Sequence, residues 1–600
     1  MLSKHKLKNN AILLIFSLSV SLLFSQTNQV SVMKNDEGMK LVVDGKDFIV
    51  NGINWDYVPV GSTVTDPGIW IKSDEIIKAA IDGEMSLLRN MGVNAIRTYN
   101  IHPKWVTYIY ENYGIYTMPN ITFGAYGLTL NGIWTPQTDY SDPATLEVLM
   151  AEAIGLVNTY KEIPGILMYM LGNENNYHLS WTSAETADIP VEGSEDPNKK
   201  ASARALYKAF NNATKEIKKR DTNHPVAICN GDLLYLDLVK EECTDIDIYG
   251  TNMYRGISFW DAFQRVKDEL NMPIMFAEFG SDAYNARDNQ EDQYMQAYYN
   301  VGNWKDIYQH TAGLGKVGNC IGGFTFQFSD GWWKWNQTIN FDIHDTIATW
   351  NNGGYSKDQN KESDNNMNEE WFGICAKGPT DSRGLYKLYP RAAYYALKEV
   401  HQFNPYKEGI TQKNLNHHFK NINLKDSVLK AHGDKASFPF TFEEEAMLPF
   451  RAFDNGATIE KVANSNLNGN PSASVLEFNK VMNSAWYSGF VFDDMLTATP
   501  IIDLVNGTIF TLKICSPKAG VNVRVKMEDM DASGAGNPSF YVDQTIATAN
   551  EWVTLTFDFG SQVDSAYTFK RIAIFPDFDD TNQVPVEKGA MYLIDDITQH

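Results

Sequence analysis

The amino-acid sequence predicts an α/β fold, a (β/α)8 TIM barrel, followed by an all-β sandwich of the jelly-roll type. From about residue 45 to residue 405, strand-like and helix-like segments alternate regularly, which is typical of barrels built from βα units. After residue 435 the helix-like segments stop, and short alternating strands are separated by Gly, Asn and Asp turns. A chain of 600 residues also exceeds what one hydrophobic core supports, so at least two domains are expected.

The barrel prediction depends on eight apolar runs that have the length of strands. Runs that are continuous rather than alternating are typical of parallel strands buried on both faces. A flavodoxin-like open sheet would alternate with helices in the same way, but it rarely reaches eight units. The candidate strands are residues 48–54, 95–99, 115–119, 166–171, 225–229, 246–252, 274–277 and 323–328.

The segments between these strands place apolar residues three and four positions apart, as helices with one buried face do. In the first of them, Ile77, Ala80 and Leu88 follow this spacing, and Gly92 is placed to end the helix. Two long polar insertions, 183–200 and 335–370, follow the fourth and eighth strands. In a barrel both stand above the carboxyl ends of the strands as substrate walls or lids, with disordered surface loops as the alternative.

The chain divides into four segments on these criteria. Residues 1–25 carry three lysines ahead of an apolar run that is too short to span a bilayer, which is typical of a secretory signal peptide. Residues 26–405 hold the barrel, residues 406–435 lack strong periodicity and are predicted to be a linker, and residues 436–600 form the sandwich. No later apolar run predicts a membrane span, so we expect a secreted or periplasmic protein.

The charge of the chain excludes one class of partner. Removing the three lysines of residues 1–25 takes the formal net charge from −23 to −26. Nucleic acids need clustered Lys and Arg, so no nucleic-acid partner is expected, whereas neutral polymers remain suitable.

The five cysteines are scattered and have no metal-ligand spacing. At most two disulfides can form, and Cys229 with Cys243 is the first pair to test. Cys320, inside an apolar strand, is expected to be a buried thiol.

Two glutamates follow buried-strand candidates where barrel enzymes carry their chemistry. Glu174 comes shortly after the apolar run 165–171, and Glu278 directly follows the run 273–277. The carboxyl ends of barrel strands meet on one face, so we expect these carboxyl groups to lie near each other. Cleaving a glycosidic bond requires one carboxylic acid and one carboxylate, so the pair indicates a glycosidase. Each glutamate alone would be an ordinary solvated or ion-paired loop residue.

Short motifs around these glutamates resemble those of the clan A glycoside hydrolases. The sequence GNE at residues 172–174 resembles their acid/base motif, and AEFG at residues 277–280 resembles their nucleophile strand. The sequence LRNMGVNAIRTYN at residues 88–100 resembles the second strand of families 2 and 72, where an arginine supports the nucleophile. The resemblance spans roughly residues 40–405 and implies a retaining glycosidase or transglycosylase.

The resemblance also implies roles for individual residues. Glu174 would be the general acid/base and Glu278 the nucleophile, with Arg97 as the cation that keeps the nucleophile ionised. Asn173 would hydrogen-bond the sugar 2-hydroxyl, a contact that strengthens in an oxocarbenium-like transition state. No cofactor and no catalytic metal are expected.

Residues after the sixth and eighth strands complete the implied site. Asn252 and Tyr254 end the sixth strand, and the tyrosine matches the clan residue that hydrogen-bonds the nucleophile; a core aromatic residue is the alternative. Phe326 stands where a tryptophan often forms the floor under the sugar. Trp332 and Trp333 can supply that floor instead, since aromatic faces stack on pyranose rings, or can pack under a loop.

The C-terminal segment resembles the carbohydrate-binding modules appended to bacterial polysaccharidases, with a purely structural sandwich as the alternative. Trp486, Tyr487 and Trp552 are its candidate aromatic contacts. Carboxylates near its two ends, in residues 442–445 and 595–596, suit a structural calcium ion, with solvated acids as the alternative.

The implied activity is hydrolysis of a polysaccharide or oligosaccharide by a retaining mechanism. The family 72 resemblance favours a β-glucan, and β-1,3-glucan first among them. One alternative is a β-glucan transglycosylase. Another is a non-catalytic glycan-binding protein on a barrel scaffold, which would be favoured if either glutamate were replaced.

Overall fold

Eight parallel strands close into a barrel, which confirms the predicted fold class. The predicted signal peptide and much of both long insertions lie outside the residues that the structure describes. Within those residues, no helix is long and apolar enough to cross a membrane. The computed structural model describes residues 27–179, 197–285, 290–334, 337–349, 367–431, 438–443, 450–453, 457–493, 507–528, 539–562, 569 and 571–600.

The elements up to residue 431 alternate as the sequence predicts. The strands are β1 (Val30–Asn35), β2 (Gly38–Val43), β3 (Lys46–Phe48), β4 (Val50–Asn54), β5 (Ala95–Thr98), β6 (Tyr116–Ile121), β7 (Leu128–Leu130), β8 (Ile133–Thr135), β9 (Tyr169–Leu171), β10 (Val226–Gly231), β11 (Ile248–Asn252), β12 (Ile274–Phe279), β13 (Tyr284–Asn285), β14 (Gln290–Glu291), β15 (Cys320–Thr325), β16 (Cys375–Thr380) and β17 (Tyr386–Pro390). The helices are α1 (Asp74–Met91), α2 (Pro103–Tyr113), α3 (Pro143–Tyr160), α4 (Asn175–His178), α5 (Pro197–Lys218), α6 (Leu236–Glu242), α7 (Ala262–Arg265), α8 (Gln293–Gln309), α9 (Ala392–Val400), α10 (Gln412–Lys420) and α11 (Leu424–Ala431).

Every predicted barrel strand overlaps an observed one. The barrel is formed in chain order by β4, β5, β6, β9, β10, β11, β12 and β15, and β15 pairs back onto β4. Helix α1 ends as predicted, because Gly92 adopts φ +89° and donates its N–H to the carbonyls of the last turn.

A small antiparallel sheet, β1 to β3, closes the amino end of the barrel and was not predicted. Val30, Leu41 and Val43 pack against the apolar side chains that fill the bottom of the barrel. The sheet is fastened by backbone hydrogen bonds from Met39 to Gly318 (2.7 Å) and from Val30 to the segment before β10. A turn at residues 44–45, both with positive φ, joins β2 to β3.

The predicted linker, residues 406–435, is wrong for most of its length. Helices α10 and α11 occupy this segment, and Leu415, Phe419 and Val428 are buried in the core of the barrel. The polar composition of this segment does not indicate helices, because the apolar residues of α10 and α11 are few and lie on one face only. The barrel domain therefore extends at least to Ala431.

Cys229 and Cys243, the first disulfide pair to test, are not bonded to each other. All five cysteines are buried free thiols. The two side chains point to different layers of the barrel. Cys229 contacts Arg97 inside the pore, whereas the thiol of Cys243 donates to the carbonyl of Tyr207 on α5.

Two five-stranded antiparallel sheets follow the barrel. One has the order β18-β21-β26-β23-β24, the other β19-β20-β27-β22-β25, and their facing side chains form a separate hydrophobic core. The strands are β18 (Phe450–Phe453), β19 (Thr458–Ala463), β20 (Ser474–Lys480), β21 (Gly489–Asp493), β22 (Ile509–Cys515), β23 (Val521–Glu528), β24 (Ser539–Ile546), β25 (Trp552–Asp558), β26 (Arg571–Pro576) and β27 (Ala590–Gln599).

Replacing a buried residue of α10 tests whether this helix belongs to the barrel. Leu415→Ala removes a fully buried side chain and should lower the free energy of unfolding by roughly 2–5 kcal/mol. Lys413→Ala, at an exposed position of the same helix, is the matched control and should change it by no more than about 0.5 kcal/mol. Denaturant unfolding followed by tryptophan fluorescence measures both. Equal effects of the two substitutions would restore the linker interpretation.

Candidate active site

The side chain of Arg97, on β5, is the centre of a polar cluster at the carboxyl end of the barrel. It is 1% exposed, and its Nη1 lies 2.5 Å from Oε1 of Glu278. Burial lowers the pKa of this guanidinium, but Tyr99, Cys229 and Glu278 raise it by more, so the group stays charged. Its other donors reach Asn54 Oδ1 (2.9 Å), Asn120 Oδ1 (2.7 Å), the Tyr99 hydroxyl (2.7 Å) and Asn173 Oδ1 (2.8 Å).

Glu278, near the end of β12, has a hydrogen-bond donor on each carboxylate oxygen. Arg97 holds Oε1, and the hydroxyl of Tyr254 donates to Oε2 over 3.2 Å. Burial raises the pKa of Tyr254 well above its ordinary value, and the neighbouring carboxylates raise it further. The hydroxyl therefore keeps its proton and acts as a donor. The Glu278 side chain is 12% exposed, which leaves a narrow opening to solvent.

Glu174 lies three residues after the end of β9. Its backbone has a conformation that non-glycine residues rarely adopt. Its φ is +53° and its ψ 29°, the left-handed region, and such residues cluster at functional sites. Its N–H donates to the carbonyl of Cys229 over 3.0 Å. Only glycine fits at position 172, where φ is +82° and a Cβ would lie 2.3 Å from Oδ1 of Asn175. These contacts hold Glu174 at the rim of the pore.

The carboxylates of Glu174 and Glu278 both raise the pKa of two neighbouring groups, the Cys229 thiol and the Tyr254 hydroxyl. Burial raises the pKa of the Cys229 thiol to about 12, and the carboxylates of Glu278 and Glu174 both contribute to this rise. Both also raise the pKa of Tyr254. The carboxyl groups of Glu174 and Glu278 are therefore both close enough to affect the same thiol and the same hydroxyl.

Asn173 is held by a network rather than pointing freely into the pore. Its Oδ1 accepts from Arg97 and from Nδ2 of Asn252 (3.1 Å), and its Nδ2 donates to the hydroxyl of Tyr126 over 2.6 Å. The thiol of Cys229 donates to Oδ1 of Asn252 over 3.1 Å. The predicted supporting residues Asn173 and Asn252 are thus brought together with Arg97.

Sequence reasoning missed several members of this cluster. Asn54 and Asn120 lie in the last two positions of their strands and Tyr99 directly follows β5, so listing the polar residues at strand ends would have found these three, whereas Cys229 lies in the middle of β10. Tyr126 is different, because it comes from the loop after β6 and carries no sequence signal. The missed residues are Asn54, Tyr99, Asn120, Tyr126 and Cys229.

Of the aromatic residues after β15, Phe326 and Trp333 share a neighbour, because the Lys334 ammonium lies 4.6 and 5.0 Å from their ring centroids. Phe326 packs edge-on against Tyr254 and Phe372, with ring centroids 6.5 and 5.5 Å away. The ring of Trp332 stacks on His344 at 5.2 Å, so one of its faces is covered by packing. The ring of Trp333 lies below the ammonium of its neighbour Lys334, at 5.0 Å. The sugar-floor role stays a prediction for Phe326, Trp332 and Trp333.

Metal ligands are not grouped in the parts of the chain that the structure describes: no cluster there combines three or more His, Cys, Asp or Glu side chains able to hold an ion. In the sandwich, Asp595 accepts from Asn470 over 2.6 Å, and Asp596 pairs with Lys513 at 2.7 Å. Residues 444–449 lie outside the described ranges, and the structural calcium stays a prediction.

Comparison with known proteins gives a family model that matches the barrel region. Residues 35–312 match the family model "Glycosyl hydrolases family 2, TIM barrel domain". The match covers less than half of the chain and includes seven of the eight barrel strands, β4 to β12. This match and the relatives below confirm the resemblance to clan A barrels of families 2 and 72.

Three curated relatives match parts of the chain. "1,3-beta-glucanosyltransferase gel2" of Aspergillus fumigatus is 23% identical over 273 residues, covering 41% of this chain and 52% of the relative. "Probable 1,3-beta-glucanosyltransferase GAS3" of Saccharomyces cerevisiae is 25% identical over 270 residues, covering 41% and 48%. A "Beta-galactosidase" of Vibrio cholerae is 25% identical over 161 residues, covering 25% and 14%. The chain thus spans about half the length of the first two relatives, and less of the third.

Arg97→Lys tests whether the guanidinium organises the site. Lysine keeps the charge but cannot reach all the acceptors that the planar guanidinium holds. We expect kcat/KM on an aryl β-glycoside to fall on the order of 10²-fold or more. Arg89→Lys, at an exposed position of α1, is the matched control and should retain full activity. A loss below about threefold for Arg97→Lys would contradict a central role.

Proposed function

We propose that this protein is an exported retaining β-glycoside hydrolase that cleaves a polysaccharide by double displacement. The observation that carries the proposal is the environment of Glu278: Arg97 holds one carboxylate oxygen, Tyr254 donates to the other, and Glu174 faces the same pore mouth. A charged, oriented carboxylate opposite a second carboxyl group is what the retaining reaction requires.

In the first step, Glu278 attacks the anomeric carbon of the sugar and forms a glycosyl ester. The glycosidic bond breaks, and the leaving oxygen takes the proton of Glu174. In the second step, a water gives its proton to Glu174 and attacks the anomeric carbon, which breaks the ester and releases Glu278. The product keeps the configuration of the substrate because the carbon is inverted twice.

Arg97 and Tyr254 serve this cycle by holding Glu278 in its attacking position before the substrate arrives. Their donors also stabilise the carboxylate when it leaves in the second step, so that little reorganisation accompanies either transition state. Asn173 already donates one amide hydrogen to Tyr126. Its second amide hydrogen is the one proposed to meet the sugar 2-hydroxyl.

The proposed substrate is a β-glucan, with β-1,3-glucan the first to test. Two of the relatives are named 1,3-beta-glucanosyltransferase, one of them as probable, and each match covers 41% of this chain. Their names also support a second candidate, transfer of the glycosyl group to another sugar in place of water. Hydrolysis and transfer use the same glycosyl ester and differ only in the acceptor, so the site chemistry is common to both.

The place of action is proposed from the N-terminal segment and the charge. A signal-peptide pattern in residues 1–25 supports export, to the periplasm or beyond the cell. A formal net charge of −23 suits a neutral polysaccharide better than an anionic polymer.

The sandwich is proposed to bind the same polymer through the outer face of the sheet that contains β21 and β24. Trp486 contacts Tyr487 and Phe578, each with ring centroids 5.2 Å apart. The guanidinium of Arg524 lies between Phe578 and Tyr541, 3.9 and 3.8 Å from their ring centroids. These rings form a continuous row, exposed at Tyr487 and Tyr541. Trp552 belongs to the other sheet, where its indole donates to a backbone carbonyl.

Glu174→Ala should give a selective defect if Glu174 is the acid/base. Aryl glycosides with good leaving groups need little protonation, so formation of their glycosyl ester should survive far better than cleavage of the polymer. Azide should then restore turnover by attacking the ester, and the product should be the β-glycosyl azide. Rates on both substrates and the configuration of the azide product by NMR measure this.

Glu278→Gln is the matched control for that experiment. The amide cannot attack, so turnover should fall by about 10⁴-fold or more on both substrates, without formation of a β-glycosyl azide. An α-azide from Glu174→Ala would show an inverting enzyme. Equal losses on both substrates without rescue would assign the acid to another residue.

Replacing the exposed rings of the sandwich tests its binding role. In the full chain, Tyr487→Ala combined with Tyr541→Ala should weaken retention on insoluble β-glucan about tenfold or more, because two stacking contacts are lost. Hydrolysis of short oligosaccharides should be unchanged. Met591→Ala, exposed on the other sheet, is the control. Unchanged retention of the double variant would make this face structural.

A further inference from the structure

One exposed tryptophan on the catalytic face is held in an unfavourable backbone conformation. Trp260 follows the sixth barrel strand, on the loop between β11 and α7, and is 49% exposed. Its φ is +54°, in the left-handed region that bulky residues adopt only as outliers. A large apolar side chain gains nothing for folding by such exposure. Strain of this kind persists where the surrounding structure imposes it, and it is typical of ligand sites.

The surrounding loop is built to impose this conformation. The guanidinium of Arg255 makes a bidentate ion pair with Asp232 after β10 and a second ion pair, 2.9 Å, with Asp261 beside Trp260. The carboxylate of Asp306 on α8 accepts from the N–H of Phe259 over 2.9 Å. Charged groups from three elements therefore fix the residues on both sides of the tryptophan.

The position of this loop relative to the two glutamates follows from a chain of contacts. The side chain of Asn176, two residues after Glu174, exchanges two hydrogen bonds with the backbone of Gly231, at 2.7 and 2.8 Å. Gly231 is followed directly by Asp232, which holds Arg255. The indole N–H of Trp260 in turn donates to the carbonyl of Arg255 over 3.4 Å. Trp260 is thus connected to the Glu174 side of the pore.

We propose that Trp260 is a stacking platform for a sugar ring on the leaving-group side of the cleaved bond. The proposal rests on the proposed function, in which Glu174 protonates the leaving oxygen, so the departing part of the chain extends toward Glu174. The exposed indole offers an apolar face of the kind that stacks on pyranose rings. Arg255 pairs with two aspartates, so this cluster carries a formal net charge of −1, and the platform selects an uncharged sugar rather than a uronic acid.

A sugar bound on Trp260 would also determine whether water or a sugar hydroxyl attacks the glycosyl ester. A sugar bound on Trp260 after the first step would present its hydroxyl where water otherwise attacks. That hydroxyl would give its proton to Glu174 while its oxygen bonds to the anomeric carbon and Glu278 leaves. Trp260 therefore controls both the preference for long substrates and the ratio of transfer to hydrolysis.

Three substitutions in the full chain separate stacking from backbone strain. Trp260→Ala removes the ring and leaves a strained residue, Trp260→Gly removes both the ring and the strain, and Trp260→Phe keeps an aromatic face. For long laminari-oligosaccharides, both ring-deleted variants should lose about tenfold in kcat/KM through a higher KM. Trp260→Phe should stay within about threefold. On an aryl β-glycoside, whose leaving group does not extend to the loop, all three should match the unsubstituted protein.

A binding measurement keeps the test independent of turnover. In the Glu278→Gln background, titration calorimetry with neutral laminari-, cello- and manno-oligosaccharides should show about tenfold weaker binding when Trp260→Ala or Trp260→Gly is added. Tyr298→Ala, exposed on α8, serves as the surface control. Unchanged binding in the ring-deleted variants overturns the platform, as does equal loss on the aryl glycoside and the oligosaccharides. Failure of the unsubstituted protein to cleave any β-glycoside would instead overturn the proposed function.

Discussion

The ion pair between Arg97 and Glu278 is the interaction on which the catalytic face depends. A guanidinium taken out of water is costly unless nearly every donor finds an acceptor. Here the strands β4, β5, β6, β9 and β12, or the residues next to them, each direct a polar side chain to Arg97. Because the buried guanidinium of Arg97 needs an acceptor for each of its donors, its hydrogen bonds connect residues from most of the barrel rim to the carboxylate of Glu278. It also explains why asparagines, which are neutral and compact acceptors, are so frequent there.

Much of this arrangement could be predicted from the sequence because its signals are local. Continuous apolar runs predict all eight barrel strands, the strand ends point to Glu174 and Glu278, and the motif at residues 88–100 points to Arg97. Three features could not be predicted in this way. Tyr126 reaches the site through a loop whose path depends on tertiary packing. The faces of α10 and α11 are defined by three buried apolar residues among polar ones, and the separation of Cys229 from Cys243 depends on which side of a strand each side chain occupies.

Strained backbone recurs on the loops after three consecutive barrel strands. Glu174, Asp232, Tyr235 and Trp260 all have positive φ and follow the fourth, fifth and sixth barrel strands. Each such residue costs on the order of 1–3 kcal/mol. The hydrogen bonds of Asn176 and the ion pairs of Arg255 lie in the same region and offset that cost. These contacts therefore restrain the residues around the acid/base on this part of the rim.

The small sheet β1 to β3 determines where the chain enters the barrel. Because Val30 and Met39 are fastened to the segments that precede β10 and β15, the first described residues lie at the amino end of the strands, opposite Glu174 and Glu278. A protein or tag fused ahead of residue 27 would leave the molecule away from the cleft. Enzyme immobilised on a bead through that end would present its pore outward, so that even an insoluble polymer could approach it without obstruction from the support.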